Sequence, residues 1–210
     1  MLIQILCDNP SSWILPYAEL LMADLKQMGH TVWLYTDAQK VMEGDILVML
    51  SCEKIFKKLA LNTHNLVVHE SALPAGKGWS PLTWQVLEGK SHIPVTLIEA
   101  VEKVDAGPIY GQVLIELNGT ELVEELRDKQ GKATIQLIQE FVKKHPTNKG
   151  AKQEGEESFY PRRKPQDSQL DLNKTLGEQF NLLRVCDNER YPAWFEINGQ
   201  KFILKIYKTE

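Results

Sequence analysis

Cysteine is scarce in this chain. Cys7, Cys52 and Cys186 are widely spaced and include no C-x-x-C pair. An odd, scattered set excludes a disulfide framework and offers no zinc-ligand spacing, so no metal is expected and the thiols read as reduced and mostly buried. Long apolar runs are also missing: none approaches the roughly 20 residues of a bilayer span. Met1 opens directly onto a strand-like run and not a signal peptide, so a cytoplasmic protein with no membrane partner is expected. An excess of basic residues is absent too. The formal net charge is −4, which argues against nucleic acid as a partner, because phosphate neutralisation needs a basic surface. There are no internal repeats. What is present is an ordinary globular composition, 43% hydrophobic and 25% charged over 210 residues, enough for one α/β domain with a small appendage.

Short apolar runs at 2–6 (LIQIL), 31–35 (TVWLY), 45–49 and 66–68 predict strands. Between the first two, Leu15, Ala18, Leu21, Met22, Leu25 and Met28 recur at helical steps, with Pro16 in the first turn and Gly29 as the stop. An amphipathic segment at 53–61 leads into the strand 66–68. This alternation predicts a mostly parallel, Rossmann-like α/β sheet with right-handed crossovers. Residues 82–88 read as a helix closed by Gly89, and 94–99 and 109–115 as β-rich runs flanking the turn VDAG. A long helical pattern comes after Thr120, with Gly131 a candidate kink or break. Residues 145–157 are polar, bear glycine and lack periodicity. The expected organisation is a catalytic domain over 1–144, a linker over 145–158 and a small C-terminal α+β subdomain over 159–210. That subdomain holds a helix at about 174–186 and ends in a β-hairpin, for which Asn198-Gly199 between two apolar-aromatic runs is a type I′ signal.

The stretch NLVVHESALPAGKGWSP (65–81) concentrates the candidate chemistry. A buried-strand pattern ends at His69, and a loop with Pro74, Gly76 and Gly78 comes next. In open α/β sheets ligands gather outside the carboxyl ends of the strands. Histidine exchanges a proton near neutral pH, and a carboxylate such as Asp105 can fix its tautomer. Taken singly, each also has a structural reading, as a strand-end residue and as a turn former.

The surrounding pattern resembles the formyltransferase family that uses 10-formyltetrahydrofolate. The family's loop, His-Pro-Ser-Leu-Leu-Pro, two residues, Arg-Gly, two residues, Pro, is met by His69, Ser71, Leu73, Pro74, Lys77, Gly78 and Pro81. Its later signature, Val-Thr and then Asp-x-Gly-x-Ile, is met by Val95, Thr96, Asp105, Gly107 and Ile109. The likeness spans roughly residues 45–143. It implies the formyltransferase fold and acyl transfer from 10-formyltetrahydrofolate to an amine. The cosubstrate would lie near Leu50, Ser51, Cys52, Val101, Val104 and Asp105. His69 would accept the amine's proton or hold charge beside it, with Asp105 orienting the ring. Two departures stand out. The family's Asn two residues before the histidine is Val67 here, so an oxyanion donor, an effect often worth about 3–4 kcal/mol, must come from elsewhere. Asn9, with His69, is the candidate; Asn65 lies on the same strand face one step further from the rim. The usual Pro after the histidine is Glu70, a carboxylate able to raise the pKa of His69.

The loop CDNPSSWILP contains no glycine, unlike the ribose-phosphate loop of the purine-pathway member. The acidic chain and short C-terminal part are unlike the initiator-tRNA member. Instead the C-terminal part from FYPRRKPQDSQLDL onward, with Arg162, Arg163, Asp167, Asp171, Asn181, Arg184, Tyr191 and Pro192, resembles the nucleotide-sugar N-formyltransferases, most closely those of pseudaminic-acid-type pathways. The resemblance implies a nucleotide-sugar substrate; Ser11, Ser12, Trp13, Lys77 and Trp79 are chemically suited to its diphosphate and base, and Glu70 is a further candidate substrate-binding residue. Arg162 and Arg163 are read as ion-pair residues bridging the C-terminal part to the main domain. A dTDP-amino sugar, another small amine, and a non-catalytic folate- or nucleotide-sugar-binding module are the alternatives. The C-terminal hairpin suits a homodimer and a monomer with covered edges equally.

Overall fold

A computed structural model describes residues 1–209. Six strands form the central sheet: β1 (Leu2–Leu6), β2 (Thr31–Tyr35), β3 (Gly44–Met49), β4 (Asn62–His69), β6 (His92–Glu99) and β7 (Ile109–Glu116), in the order β2-β1-β3-β4-β6-β7. The pairings β1–β2, β1–β3 and β3–β4 are parallel, whereas β6 runs antiparallel to both β4 and β7. The sheet is therefore mostly parallel, as the strand-helix alternation implies. A two-residue strand β5 (Lys77–Gly78) pairs with β8 (Phe159–Tyr160), and β9 (Ala193–Ile197) pairs with β10 (Gln200–Leu204) as the expected antiparallel hairpin. Asn198 and Gly199 turn that hairpin with φ of 51° and 76°, the left-handed pair a type I′ turn demands.

Alternation along the strands sorts side chains onto two faces. Ile3, Ile5, Ile46, Val48 and Leu66 meet helices α1 (Leu15–Gln27) and α3 (Val123–Lys144) in the main core. Leu6, Leu47 and Met49 face the other way, toward Phe56, Leu59, Val67 and Ala100. That second face is covered by loop residues and short 3-10 turns instead of a helix. Residues 53–61 do not form the helix their pattern suggests; only Leu59–Leu61 close a 3-10 turn. Asp8 takes the N–H groups of Glu53 and Lys54 at 2.8 and 2.9 Å, and a nine-residue helix has little intrinsic stability. An extended segment here leaves the face beside the end of β4 open.

Gly131 is neither a kink nor a break. α3 passes through it, and a Cβ there would lie 2.3 Å from the Tyr17 ring on α1. Gly131→Ala must separate the two helices and is expected to cost about 1–3 kcal/mol, the usual range for overpacking, read as a lowered urea midpoint. The C-terminal helix is shorter than expected, α4 (Phe180–Val185), because Gln179 ties off the preceding loop through Asp171 and Lys174. Residues 145–158 run against the main body: Ala151 bridges Ile109, and Gln153 Nε2 donates to the carbonyls of Asp105 and Gly107, each at 2.9 Å. Among the described residues no helix is long and apolar enough to cross a membrane.

Candidate active site

His69 closes β4 and is buried. Its Nε2 lies 2.8 Å from the Gly76 carbonyl oxygen, which can only accept, so this nitrogen carries a hydrogen. Nδ1 faces Asp105 Oδ1 at 3.7 Å. Asp105 comes from the loop joining β6 to the start of β7, with φ of 54°, and accepts from the Gly78 N–H at 3.0 Å. Gly78 has φ of 99°, and a Cβ on it would stand 2.4 Å from the Tyr160 carbonyl. Only glycine lets the His69 loop pass between Asp105 and β8. Two side chains distant in the sequence are thus brought to one place, fastened by the same short loop.

Both His69 and Asp105 line a cleft of about 1080 Å³. Part of its lining is apolar: Ile55, Phe56, Leu59, Val67, Ile98, Ala100, Val101 and Val104. Ile55, Val101 and Val104 are exposed there, Val104 by 54%. The same lining also carries aromatic and cationic side chains. The Arg162 guanidinium lies 4.6 Å from the centre of the Trp79 ring, and that of Arg127 lies 5.9 Å from Trp13. Arg163, Lys164, Arg190 and Tyr191 line the cleft as well.

Of the residues singled out in the sequence, His69, Glu70, Asp105, Asn9, Ser12, Trp13, Ser51, Cys52, Trp79, Val101 and Val104 line the cleft. Three do not. Lys77 is 1% exposed and pairs with Glu157 at 2.8 Å; its position in β5 turns it into the body, so it cannot meet a diphosphate. Leu50 is packed in the main core, and its N–H is spent on the Leu6 carbonyl. Ser11 sits outward on a turn made by Asn9, with its carbonyl accepting from Arg190. Neither amide candidate is free. Asn9 donates to Glu53 at 2.8 Å, and Asn65 is turned to the Leu59 carbonyl at 2.9 Å, away from the cleft.

Burial pushes the Cys52 thiol up to about 12, so it stays protonated and is no nucleophile. Burial likewise raises the Glu70 carboxyl above the ordinary carboxylate range, against the opposing pull of His69 and Gln130. Among the described residues no group of three or more His, Cys, Asp or Glu is placed to hold a metal ion. Arg162 and Arg163, expected as ion-pair residues, make none among the described residues. Arg162 stacks on Trp79, and Arg163 donates to the Asp167 carbonyl and Ser168 Oγ at 3.0 and 3.1 Å. Arg127, Lys164 and Arg190 carry no sequence signal of their own and become site residues only through the fold.

A family model described as formyl transferase matches residues 26–142. Among solved structures, methionyl-tRNA formyltransferase from Clostridium thermocellum superposes with a TM-score of 0.85 at 20% identity, over 100% of this chain and 94% of that one. A 4-N formyltransferase from Francisella tularensis gives 0.75 at 16% identity, over 100% and 98%. HypX from Aquifex aeolicus in complex with tetrahydrofolic acid gives 0.77 at 16% identity, over 97% of this chain but 37% of that one. At these identities the superpositions establish the fold alone.

Proposed function

This chain belongs to the formyl transferase family, and from that premise we propose that it moves the formyl group of 10-formyltetrahydrofolate to the amine of a nucleotide-linked amino sugar, best a UDP-linked 4-amino-4,6-dideoxy-N-acetyl sugar. The observation that carries this reading is a single cleft around His69 and Asp105 whose lining holds both an apolar set of side chains and an aromatic-cationic set. The exposed apolar groove at Ile55, Val101 and Val104 fits a flat folate ring system, whose burial there would release water from apolar surface. The aromatic-cationic part of the lining offers flat surface at Trp13 and Trp79 and, at Arg162, a guanidinium with no ion pair among the described residues, suited to a diphosphate; Arg127 is already paired with Asp187. The 4-N formyltransferase and HypX likenesses support the amine and the folate respectively.

The formyl donor supplies the one-carbon unit. Asp105 orients the His69 ring, and His69 holds charge beside the carbonyl oxygen as negative charge develops there. On this reading residues 1–144 form the catalytic domain, 145–158 connect, and 159–210 supply much of the sugar-nucleotide lining.

Incubation of the protein with 10-formyltetrahydrofolate and UDP- or dTDP-linked 4-amino sugars should release tetrahydrofolate, tracked by absorbance. Tight sugar-nucleotide binding with no release would leave only a binding module. Arg162→Ala removes a cation held on Trp79 and is expected to raise KM for the sugar nucleotide about tenfold, equivalent to about 1.4 kcal/mol. KM for the folate should stay unchanged. An equal rise in both constants would argue against this division of the lining.

A further inference from the structure

Neither nitrogen of His69 presents a lone pair to the cleft. Nε2 carries its hydrogen to the Gly76 carbonyl, and Nδ1 faces the Asp105 carboxylate. A carboxyl group stands directly beside that ring where the cleft is lined. Glu70 succeeds His69 in the chain and so turns toward the α3 side, where Gln130 Nε2 donates to its Oε1 at 2.6 Å. Gln85 of helix α2 (Pro81–Leu87) holds the Glu70 carbonyl at 2.5 Å, which fixes the backbone at that point. Among the described residues no side chain donates a hydrogen bond to Oε2. Gln130 lines the cleft beside Glu70, and Trp13 and Arg127, assigned to the sugar, line the same cleft.

We infer that Glu70 is the catalytic residue that takes the proton from the attacking amine, with Gln130 positioning its carboxyl. The inference rests on the formyl-transfer reading. As the amine nitrogen bonds to the formyl carbon, the nitrogen becomes positively charged and its proton passes to Glu70 Oε2. The bond from the formyl carbon to N10 of the donor then breaks, and the same proton is returned to N10. The amine has lost one hydrogen, the folate has gained one, and Glu70 ends as it began.

The charged groups acting on Glu70 are His69 on β4 and Asp105 in the loop before β7; α3 contributes the amide of Gln130 and α2 that of Gln85. Glu70 must be ionised to accept a proton. Its carboxyl sits above the ordinary range, so kcat should rise with pH as Glu70 ionises, and Glu70→Gln should lack that limb. The limb set by the substrate amine itself stays in both.

Glu70→Gln keeps an acceptor for Gln130 and the side-chain shape. Its kcat is expected to fall about 10²–10³-fold with KM for folate unchanged, and acetate should restore part of the turnover of Glu70→Ala. In protein carrying 13C-carboxyl glutamate, one resonance missing in Glu70→Gln should shift when the UDP-amino sugar binds without folate. Wild-type protein that releases no tetrahydrofolate overturns both this inference and the reading beneath it. With an active wild type, several outcomes overturn the role of Glu70 alone. They are a Glu70→Gln kcat within threefold of wild type, a loss confined to KM, a failure of acetate rescue, and an unmoved resonance.

Discussion

Replacing His69 with alanine is expected to lower kcat by about 10³-fold, the middle of the range that one positioned proton-bearing group supplies, while the chain remains folded. The ring is buried at the end of a strand, but its hydrogen bond is made to the Gly76 carbonyl, within a loop independently fastened by Ser158, which contacts the Gly76 and Lys77 N–H groups at 2.8 and 2.9 Å. Loss of one such bond costs about 1 kcal/mol, too little to unfold the sheet. Asp105→Asn is the comparator. It keeps an acceptor for the Gly78 N–H but removes the charge 3.7 Å from Nδ1, so a smaller fall, about 10²-fold, is expected. Turnover is measured as tetrahydrofolate release and the fold by circular dichroism. A His69→Ala protein with wild-type kcat would remove the centre from this site altogether.

The largest loss of stability is expected from Arg184→Ala. Arg184 on α4 and Glu121 just before α3 are each 4% exposed and joined at 3.0 Å, and Arg184 Nε also donates to the Glu121 carbonyl at 2.9 Å. The Asn118 and Gly119 N–H groups reach the carboxylate at 2.8 and 3.1 Å, and Lys129 Nζ lies 3.6 Å from it. Removing one partner strands the other in a dry place, at a cost of about 3–5 kcal/mol. For a chain of this size that is roughly 10 °C in Tm. Burial alone would raise the Glu121 carboxyl, but those N–H groups and the Arg184 guanidinium outweigh it and hold it below the usual carboxylate range. The stabilisation is therefore present above the unfolded value of about 4.3 and is lost as pH falls through the lower folded value. Glu121→Gln should flatten the acid side of the stability curve. A Tm unmoved by Arg184→Ala would show that α4 docks without this pair.

Local pattern revealed the strands and helix α3, because LIQIL is apolar on two buried faces, TVWLY alternates a buried Val32 with exposed Thr31 and Trp33, and Leu126, Ile138 and Phe141 keep one stripe. It also revealed the terminal hairpin, since Asn198-Gly199 fixes a turn with no help from elsewhere. His69 and Asp105 were legible as candidates through the order and register of the motifs around them. Their approach depends on Gly78 and β8, which no local pattern encodes. Lys77 was misread for a related reason: its partner Glu157 lies in a stretch without periodicity, so nothing marked the lysine as already satisfied. Arg162 was misread in the opposite sense. A basic pair in a polar segment looks like a surface bridge until Trp79 is placed beneath it. The segment 53–61 kept the spacing of a helix, but Asp8, from a separate loop, claimed two of its N–H groups.

Gln153 has a consequence for how the molecule comes into being. Its amide grips the carbonyls on either side of Ala106, and the neighbouring Ser158 anchors the turn that carries the Gly76 carbonyl. On a ribosome the sheet and α3 can be complete while these two clasps are still unmade. Competence then arrives late in synthesis, when a polar tail folds back across finished architecture and locks an acid and an imidazole that had until then only been neighbours.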